Sequence, residues 1–183
     1  MSIADTDSAS LVSNAELDQI GIVVHDLYSV TQELTRLFGI GPFRIFEWPL
    51  EGVEPQATYH GQPADFRLLL AFVTVGKIQI EIVQPLEGQN IYSDFLRDHG
   101  PGLHHFRLSI PAFEQGVAAL MEAGIEKIAS GTGVHVGSKW AYFDTTQQLE
   151  GVVVELRTRL EEVGGEGQWL QSVPPPSSPV NQK

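Results

Sequence analysis

Two segments of the same character open two halves of the chain. Residues 17–24 read LDQIGIVV and residues 103–110 read LHHFRLSI. Both contain the β-branched and large apolar residues that favour β-strands. Each is followed by apolar residues at helical spacing and then by a Gly-Ile pair, at residues 39–40 and 124–125, as at the C-terminal end of a helix. The sequence therefore predicts an internal repeat whose unit begins with a strand and a helix.

Three strand candidates follow the helix in each half. They are about residues 43–48, 66–75 and 77–84 in the first half, and about 127–130, 139–144 and 152–157 in the second. Each half thus predicts the order β-α-β-β-β, with an extra loop at about residues 49–65 in the first. We expect an α+β fold in which two tandem βαβββ modules, each unable to bury its apolar face alone, form one curled sheet around a cleft.

Length and composition limit the organisation of the chain. Its 183 residues suffice for one domain. We expect the folded body at residues 15–160, with module one at about 15–86 and module two at about 101–160. Residues 1–14, rich in Ser, Asp and Ala, predict a disordered N-terminal segment, and residues 161–183 predict an extended, proline-rich tail.

Charge and cysteine content exclude several classes of function. Lys and Arg total 11 against 23 Asp and Glu, a formal net charge of -12. This balance excludes nucleic-acid binding through phosphate neutralisation and adhesion to an anionic membrane. The absence of cysteine excludes disulfides, thiolate metal ligands and Cys nucleophiles, and it is typical of cytoplasmic proteins. No apolar run approaches the roughly 20 residues of a membrane helix, so we expect a cytoplasmic protein without membrane or nucleic-acid partners.

The repeat places four polar residues at matching points of otherwise apolar strands. Gln19 and His105 occupy one point of the first strands, and Glu81 and Glu155 occupy one point of the last strands. A single glutamate in a strand most often faces solvent, and that alternative applies to each of the two. A pseudo-twofold axis would instead bring all four together as an oxygen and nitrogen set suited to one divalent cation: Zn, Ni, Co, Mn or Mg. Without thiolates and with open coordination positions, such a site would be catalytic rather than structural.

Five runs of the sequence are typical of one known superfamily. They are LDQIGIVVHDL, LFGIGPF, IEIVQPLEGQNIYSDFL, GPGLHHFRLSI and GVVVEL. Through them the chain resembles the vicinal oxygen chelate superfamily, which includes glyoxalase I, methylmalonyl-CoA epimerase, extradiol dioxygenases and antibiotic-resistance binding proteins. The resemblance covers about residues 16–158. It implies the glyoxalase/bleomycin-resistance/dioxygenase fold, a homodimer, and two metal ligands from each module.

The ligand positions that the resemblance implies are Gln19, Glu81, His105 and Glu155. This set looks like that of the eukaryotic glyoxalase I enzymes. The run IEIVQPLEG followed by GLHH looks most like the methylmalonyl-CoA epimerases, whose pattern has His in place of Gln19 and Gln in place of Glu81. Those epimerases also place a catalytic Glu where this chain has Arg67, a departure from a two-carboxylate epimerase mechanism.

Such a site can move a proton. A divalent metal that binds two vicinal oxygens of a substrate stabilises the negative charge that develops on them. A carboxylate beside the metal can then move the proton of the carbon next to the carbonyl, with Glu155 as the first choice of base and Glu81 as the second. The sequence therefore predicts a metal-dependent isomerase, epimerase or lyase acting on a small molecule, with a thioester or a glutathione adduct as candidate substrates.

Two other functions stay open. One is a non-catalytic small-molecule binding protein of the same fold. A weaker alternative is an extradiol-type dioxygenase, which would need two His and one carboxylate around iron, whereas this chain has Gln19.

Several residues outside the ligand set are candidate contributors to the site. Arg67, inside an apolar strand, could hold a substrate carboxylate or phosphate through two parallel hydrogen bonds, or could pair with nearby acids on the strand surface. Tyr142 is expected to direct its hydroxyl toward the site. His104 is expected on the opposite strand face from His105, because side chains alternate along a strand. Two histidines in predicted loops are more often surface residues than ligands but could line the mouth of the cleft: His60 and His135.

Overall fold

The computed structural model describes residues 14–159 and 174–176, so nearly all of the predicted N-terminal segment and of the predicted tail lies outside the described residues. The described residues form ten strands and three helices. In chain order they are β1 (Glu16–Val23), α1 (Leu27–Phe38), β2 (Arg44–Trp48), β3 (Thr58–Tyr59), β4 (Gln62–Pro63), β5 (Arg67–Val75), β6 (Ile78–Glu87), α2 (Ile91–His99), β7 (Gly102–Ile110), α3 (Phe113–Glu122), β8 (Lys127–Thr132), β9 (Lys139–Phe143) and β10 (Val153–Thr158). None of these helices has the length and apolar character needed to span a membrane.

The ten strands form one mixed sheet. Its order is β2-β5-β6-β1-β7-β10-β9-β8-β3-β4. The first strands of the two modules, β1 and β7, pair antiparallel at the centre, and in each module the last strand lies parallel to the first. Each module therefore has the same strand order when read outward from the centre, and the predicted pair of βαβββ modules is confirmed.

The two modules also share their register. Glu81 of β6 lies opposite Gly21 of β1, and Glu155 of β10 lies opposite Arg107 of β7. In both modules, the residue opposite the glutamate lies two positions after the polar residue of the first strand. That polar residue is Gln19 in β1 and His105 in β7. The repeat seen in the sequence is therefore also a repeat of strand pairing, which places the polar residues of both modules near the central strands.

The sheet is curled, as shown by a buried core that strands from its two sides share. Phe46 of β2 and Tyr142 of β9 belong to the same buried cluster, although six strand-to-strand steps separate β2 from β9. In a flat sheet, six steps of about 4.8 Å would hold those strands roughly 29 Å apart. The concave face therefore encloses a cleft that both modules line.

Helices α1 and α3 cover the convex face, one on each module. Leu27 of α1 lies in a buried cluster with Ile82 of β6, and Phe113 of α3 packs against a cluster that contains Leu156 of β10. Helix α1 ends at Gly39, whose backbone is left-handed with a φ of 66°, as the Gly-Ile pair predicts. The helices thus complete the hydrophobic core on the side away from the cleft.

Two elements lie outside the repeat that the sequence predicts. The loop at residues 49–65 contains the short strands β3 and β4, and β3 pairs with β8 at the far edge of module two. Helix α2 follows β6, and the Asn90 side chain caps it by accepting hydrogen bonds from the backbone N–H groups of Tyr92 and Ser93. Both additions reach the concave side, because Tyr59 of β3 and Tyr92 of α2 line the cleft.

We predict that the buried face of α1 contributes strongly to stability. Leu27 is 0% exposed and Leu37 of the same helix is 55% exposed. Leu27→Ala is expected to lower the free energy of unfolding by about 2–5 kcal/mol, because it leaves a cavity in the core. Leu37→Ala, the matched control, is expected to change it by less than about 0.5 kcal/mol. Urea denaturation of both variants measures the difference, and equal midpoints would contradict this packing.

Candidate active site

Four polar side chains from the two modules are buried on the concave face. Gln19, Glu81, His105 and Glu155 are 1%, 7%, 0% and 4% exposed. Oε2 of Glu81 lies 3.3 Å from Nε2 of His105, and Oε2 of Glu155 lies 3.5 Å from the same nitrogen. Gln19 lines the same cleft as both glutamates. The structure thus brings together the four residues proposed as ligands, and neither glutamate faces solvent.

Each of the four side chains has a buried polar atom without a hydrogen-bond partner among the described residues. These atoms are Gln19 Oε1, Glu81 Oε2, His105 Nε2 and Glu155 Oε2. The two glutamate oxygens lie within ion-pair distance of the histidine nitrogen but form no hydrogen bond with it. Leaving a buried polar atom unpaired costs about 1–3 kcal/mol, so native proteins contain few of them. Four in one cleft indicate a binding site.

Two neighbouring side chains orient these groups. Nε2 of Gln19 donates a hydrogen bond of 2.6 Å to Oε1 of Gln79, which leaves the Gln19 amide oxygen unpaired. Nδ1 of His105 lies 3.0 Å from Nδ1 of His104, which leaves Nε2 as the His105 nitrogen available to a ligand. Contacts of this kind fix the tautomer and the direction of a ligand side chain.

Gly21 provides the space that the His105 ring occupies. Gly21 lies between Glu81 on one neighbouring strand and His105 on the other. A Cβ atom at Gly21 would lie 1.9 Å from Cε1 of His105, well inside van der Waals contact. The imidazole therefore extends across the Gly21 backbone toward β6, which explains how it approaches Glu81.

The position of His104 differs from the alternation expected along a strand. A β-bulge interrupts the pairing of β1 with β7 at His104, and a bulge places one extra residue against the partner strand. Both histidine rings consequently lie near Tyr92, with ring centroids 5.2 Å from it for His104 and 6.2 Å for His105. His104 therefore supports His105 from the same side of the strand instead of facing away from it.

A buried arginine lies beside Glu155. Arg107 is opposite Glu155 on the adjacent strand. Its Nε donates a hydrogen bond of 2.8 Å to one oxygen of Asp18, and the Ser109 hydroxyl donates one of 2.6 Å to the other oxygen. Burial raises the pKa of Glu155, while the charges of Arg107 and His105 act in the opposite direction.

Tyr142 lines the cleft, and its hydroxyl forms a hydrogen bond with the hydroxyl of a second tyrosine. The Tyr92 hydroxyl donates a hydrogen bond of 2.8 Å to the Tyr142 hydroxyl, and the Tyr142 ring lies 5.0 Å from that of His105, between centroids. Burial raises the pKa of both tyrosines well above the usual value. Both hydroxyls therefore keep their protons at neutral pH, and the Tyr142 proton is available to a ligand in the cleft.

The structure places Arg67 outside the cleft. Its side chain is exposed and pairs with Glu47 on β2 and with Glu87 on β6. Leu68 and Leu70 of the same strand line the cleft, so alternation directs Arg67 to the opposite face. This corrects the expectation of a substrate contact: Arg67 is a strand-surface arginine paired with nearby acids.

Arg107 and Arg157 are buried cleft residues that the sequence did not lead us to predict. Arg157 lies two positions beyond Glu155 on β10, so the same alternation that excludes Arg67 directs Arg157 into the cleft. Arg157 is buried and lines the cleft. Its Nη2 lies 2.9 Å from Nδ1 of His135, which lines the cleft, whereas His60 is exposed and pairs with Glu126. The i+2 spacing from a candidate ligand was the signal that could have identified Arg157.

The remaining wall of the cleft is largely apolar. It is formed by side chains of both modules and of α2, among them Trp48, Phe66, Leu68, Leu70, Phe72, Ile91, Val134 and Trp140. A bound molecule would therefore meet polar groups at the central strands and apolar groups elsewhere, which is typical of small-molecule sites.

The polar end of the cleft fits a divalent cation by its donor chemistry. Two carboxylates, one imidazole and one amide oxygen suit such an ion, and each has an unpaired buried atom. Within residues 14–159 and 174–176, no group of three or more His, Cys, Asp and Glu side chains already has the arrangement of a metal site. A metal at this position is accordingly a proposal.

Comparison with known families identifies the class of protein. Residues 18–143 match the model of the Glyoxalase/Bleomycin resistance protein/Dioxygenase superfamily. Because the match spans more than half of the chain, the protein belongs to this superfamily, in agreement with its two βαβββ modules.

Individual relatives are distant. The uncharacterized protein YqjC of Bacillus subtilis (strain 168) is 24% identical over 140 residues, which are 76% of this chain and 89% of that protein. Methylmalonyl-CoA epimerase from Mycobacterium tuberculosis is 21% identical with a TM-score of 0.54, covering 78% of this chain and 86% of the epimerase. A variant of Streptomyces coelicolor methylmalonyl-CoA epimerase in complex with 2-nitronate-propionyl-CoA is 20% identical with a TM-score of 0.56, covering 80% and 95%. At these identities the similarity of the structures shows the fold alone.

We predict that the site does not tolerate a side chain at Gly21. Gly21→Ala is expected to lower the free energy of unfolding by at least about 1–3 kcal/mol, because the added methyl group must displace the buried His105 ring. Gly102→Ala is the matched control on the adjacent strand, since a Cβ there meets no atom within 4 Å. Chemical denaturation measures stability, and the imidazole NMR signals of His105 report its displacement. Equal stability of the two variants would show that the ring does not occupy this space.

Proposed function

We propose that the protein is a metal-dependent enzyme that moves a proton at a carbon next to a carbonyl. The observation that carries this proposal is the set of four unpaired donor atoms from Gln19, Glu81, His105 and Glu155 in one cleft. These residues would hold the ion through two carboxylate oxygens, an amide oxygen and Nε2 of the imidazole. A bound divalent ion would polarise the substrate carbonyl and stabilise the negative charge that develops on its oxygen.

The chain's own residues supply the proton chemistry. Glu155 is the first choice of base, because it lies between Arg107 and Tyr142 on its two neighbouring strands. Glu81 approaches the same histidine nitrogen from the other module and is the second choice. The Tyr142 hydroxyl can donate a hydrogen bond to a substrate oxygen, and the apolar wall excludes water from the reacting carbon.

The substrate is proposed to be a small molecule, with two candidate classes. Methylmalonyl-CoA epimerases share the fold, and one of them is solved with 2-nitronate-propionyl-CoA, so an acyl-CoA thioester is one candidate. A glutathione hemithioacetal is the other, because the Gln/Glu/His/Glu set looks like that of glyoxalase I. The homodimer and the cytoplasmic location implied by resemblance and composition stay predictions.

A small-molecule binding protein without catalysis is the second candidate function. The observation in its favour is the aromatic and aliphatic wall of the cleft, which suits binding of an apolar molecule whether or not a reaction follows. Binding without exchange of a proton at the substrate carbon distinguishes it from the enzyme.

We predict that the protein binds one divalent ion per chain and that His105→Ala abolishes this binding, because the imidazole nitrogen is one of the proposed donors. His25→Ala is the control, since His25 is exposed on the surface. Titration calorimetry with Mn²⁺, Co²⁺ and Zn²⁺, together with metal analysis of purified protein, measures the result. Stoichiometric binding by His105→Ala at wild-type affinity would eliminate the proposed site.

We predict that the wild-type protein exchanges the proton next to the carbonyl for deuterium, and that Glu155→Gln slows this exchange by at least about 100-fold if Glu155 is the base. Glutamine can keep an oxygen on the ion, so the loss reports proton transfer. NMR in deuterium oxide, with methylmalonyl-CoA and the hemithioacetal of methylglyoxal and glutathione as probes, measures the rate.

Parallel measurement of Glu81→Gln separates the two candidate bases. A metal-replete Glu155→Gln protein with undiminished exchange eliminates Glu155, and the same result for Glu81→Gln eliminates both. Tight binding of a probe by the wild type without any exchange favours the binding protein.

A further inference from the structure

Arg157 is a buried cation without a carboxylate partner of its own. It is 5% exposed and lines the cleft. The ion pairs formed among the described residues include none made by Arg157. Its guanidinium contacts Nδ1 of His135, and burial together with the charge of Arg157 lowers the pKa of that imidazole to about 3. His135 is therefore neutral at physiological pH and accepts a hydrogen bond without balancing the charge.

Arg107 shows the contrasting arrangement in the same cleft. It is also buried, but its Nε is bonded to the Asp18 carboxylate, which the Ser109 hydroxyl holds in place. Arg107 thus has a hydrogen-bonded carboxylate partner within the protein, whereas Arg157 has none among the described residues. Taking a guanidinium out of water is costly unless a charge or a set of hydrogen bonds replaces the water, so Arg157 is suited to a partner that comes from outside the chain.

The guanidinium of Arg157 is charged at neutral pH, because arginine is not deprotonated in proteins. It also presents a planar fork of N–H donors, which matches the two oxygens of a carboxylate.

The charges around the cleft favour an anion with a single charge. With a divalent ion bound, Glu81 and Glu155 would balance its two charges and Asp18 would balance Arg107, which leaves the single positive charge of Arg157. A monoanionic ligand would then neutralise the buried site, whereas a phosphate monoester with nearly two charges would exceed the balance.

We propose that Arg157 forms an anion subsite that binds a carboxylate of the ligand. The carboxylate is separate from the oxygens at the ligand cluster, because Arg157 and Glu155 lie two residues apart on β10, a distance of roughly 6.6 Å along a strand. The body of the ligand lies against the apolar wall. The ligand class is therefore a carboxylic acid with an apolar body and a carbonyl a few carbon atoms from the carboxylate.

This subsite deepens the proposed function, and its charge argument rests on that function. Binding of matched probes tests it independently of catalysis. The probes are 4-oxo-4-phenylbutanoate, its neutral amide, and 2-phenylethyl phosphate, titrated calorimetrically into the full chain with Mn²⁺ and, separately, with EDTA. We expect the wild type to bind the acid at least about 10-fold more tightly than the amide, since a buried charge pair is lost in the amide.

Substitutions assign the preference to Arg157. Arg157→Gln is expected to remove the preference for the acid and to leave amide binding unchanged. Arg157→Lys, which keeps the charge without the planar fork, is expected to retain part of the preference. It also allows the role of Arg157 to be tested if Arg157→Gln does not fold. Arg36→Gln is the matched control, because Arg36 is exposed on α1 and pairs with Glu33, and it is expected to retain the full preference.

Three results would overturn the subsite. They are equal or undetectable binding of acid and amide by the wild type, an unchanged preference in Arg157→Gln, and tighter binding of the phosphate than of the acid. Failure of the proposed function is recognised differently, by wild-type protein that binds no metal. In that case the acid and amide titrations in EDTA still decide whether Arg157 selects a carboxylate.

Discussion

The burial of two carboxylates around one imidazole nitrogen is the constraint on which this structure depends. Glu81 and Glu155 approach Nε2 of His105 from opposite modules, in a region with almost no access to solvent. Like charges at such distances repel each other, and each has lost its hydration. The arrangement is stable only when the surrounding protein, or a bound cation, supplies compensating charge. Arg107, opposite Glu155 on the adjacent strand, supplies positive charge beside one of the two carboxylates.

The two modules share a framework but differ in chemistry. The strand order and register are the same, so each residue of β1 and β6 that pairs across these strands has a counterpart in β7 and β10. The counterpart of Arg107 is Gly21, whose missing side chain makes room for His105, and the counterpart of Arg157 is Val83. Both buried cations therefore come from module two. The cleft is consequently polar and charged toward one module, which gives a ligand a defined orientation that a symmetric site would lack.

Much of this organisation was predictable from the sequence, because the apolar residues of strands and helices recur at short, regular spacings. The internal repeat identified the two modules, and comparison of its halves singled out four polar residues in apolar strands. Helix α2 was not predicted, although Asn90 is a typical helix N-cap and could have indicated it. The pairing of β3 with β8 was not predictable, because it joins a loop of one module to the edge of the other.

The sequence by itself determined which residues are available: two repeated modules, a polar set of Gln19, Glu81, His105 and Glu155, and no cysteine. Only the tertiary structure decided which side chains meet. A bulge placed His104 beside His105 against the expected alternation, and the faces of β5 and β10 placed Arg67 on the surface and Arg157 in the cleft. The physical reason is that the direction of a strand side chain depends on register and on curl, and both are set by hydrogen bonds between distant segments of the chain.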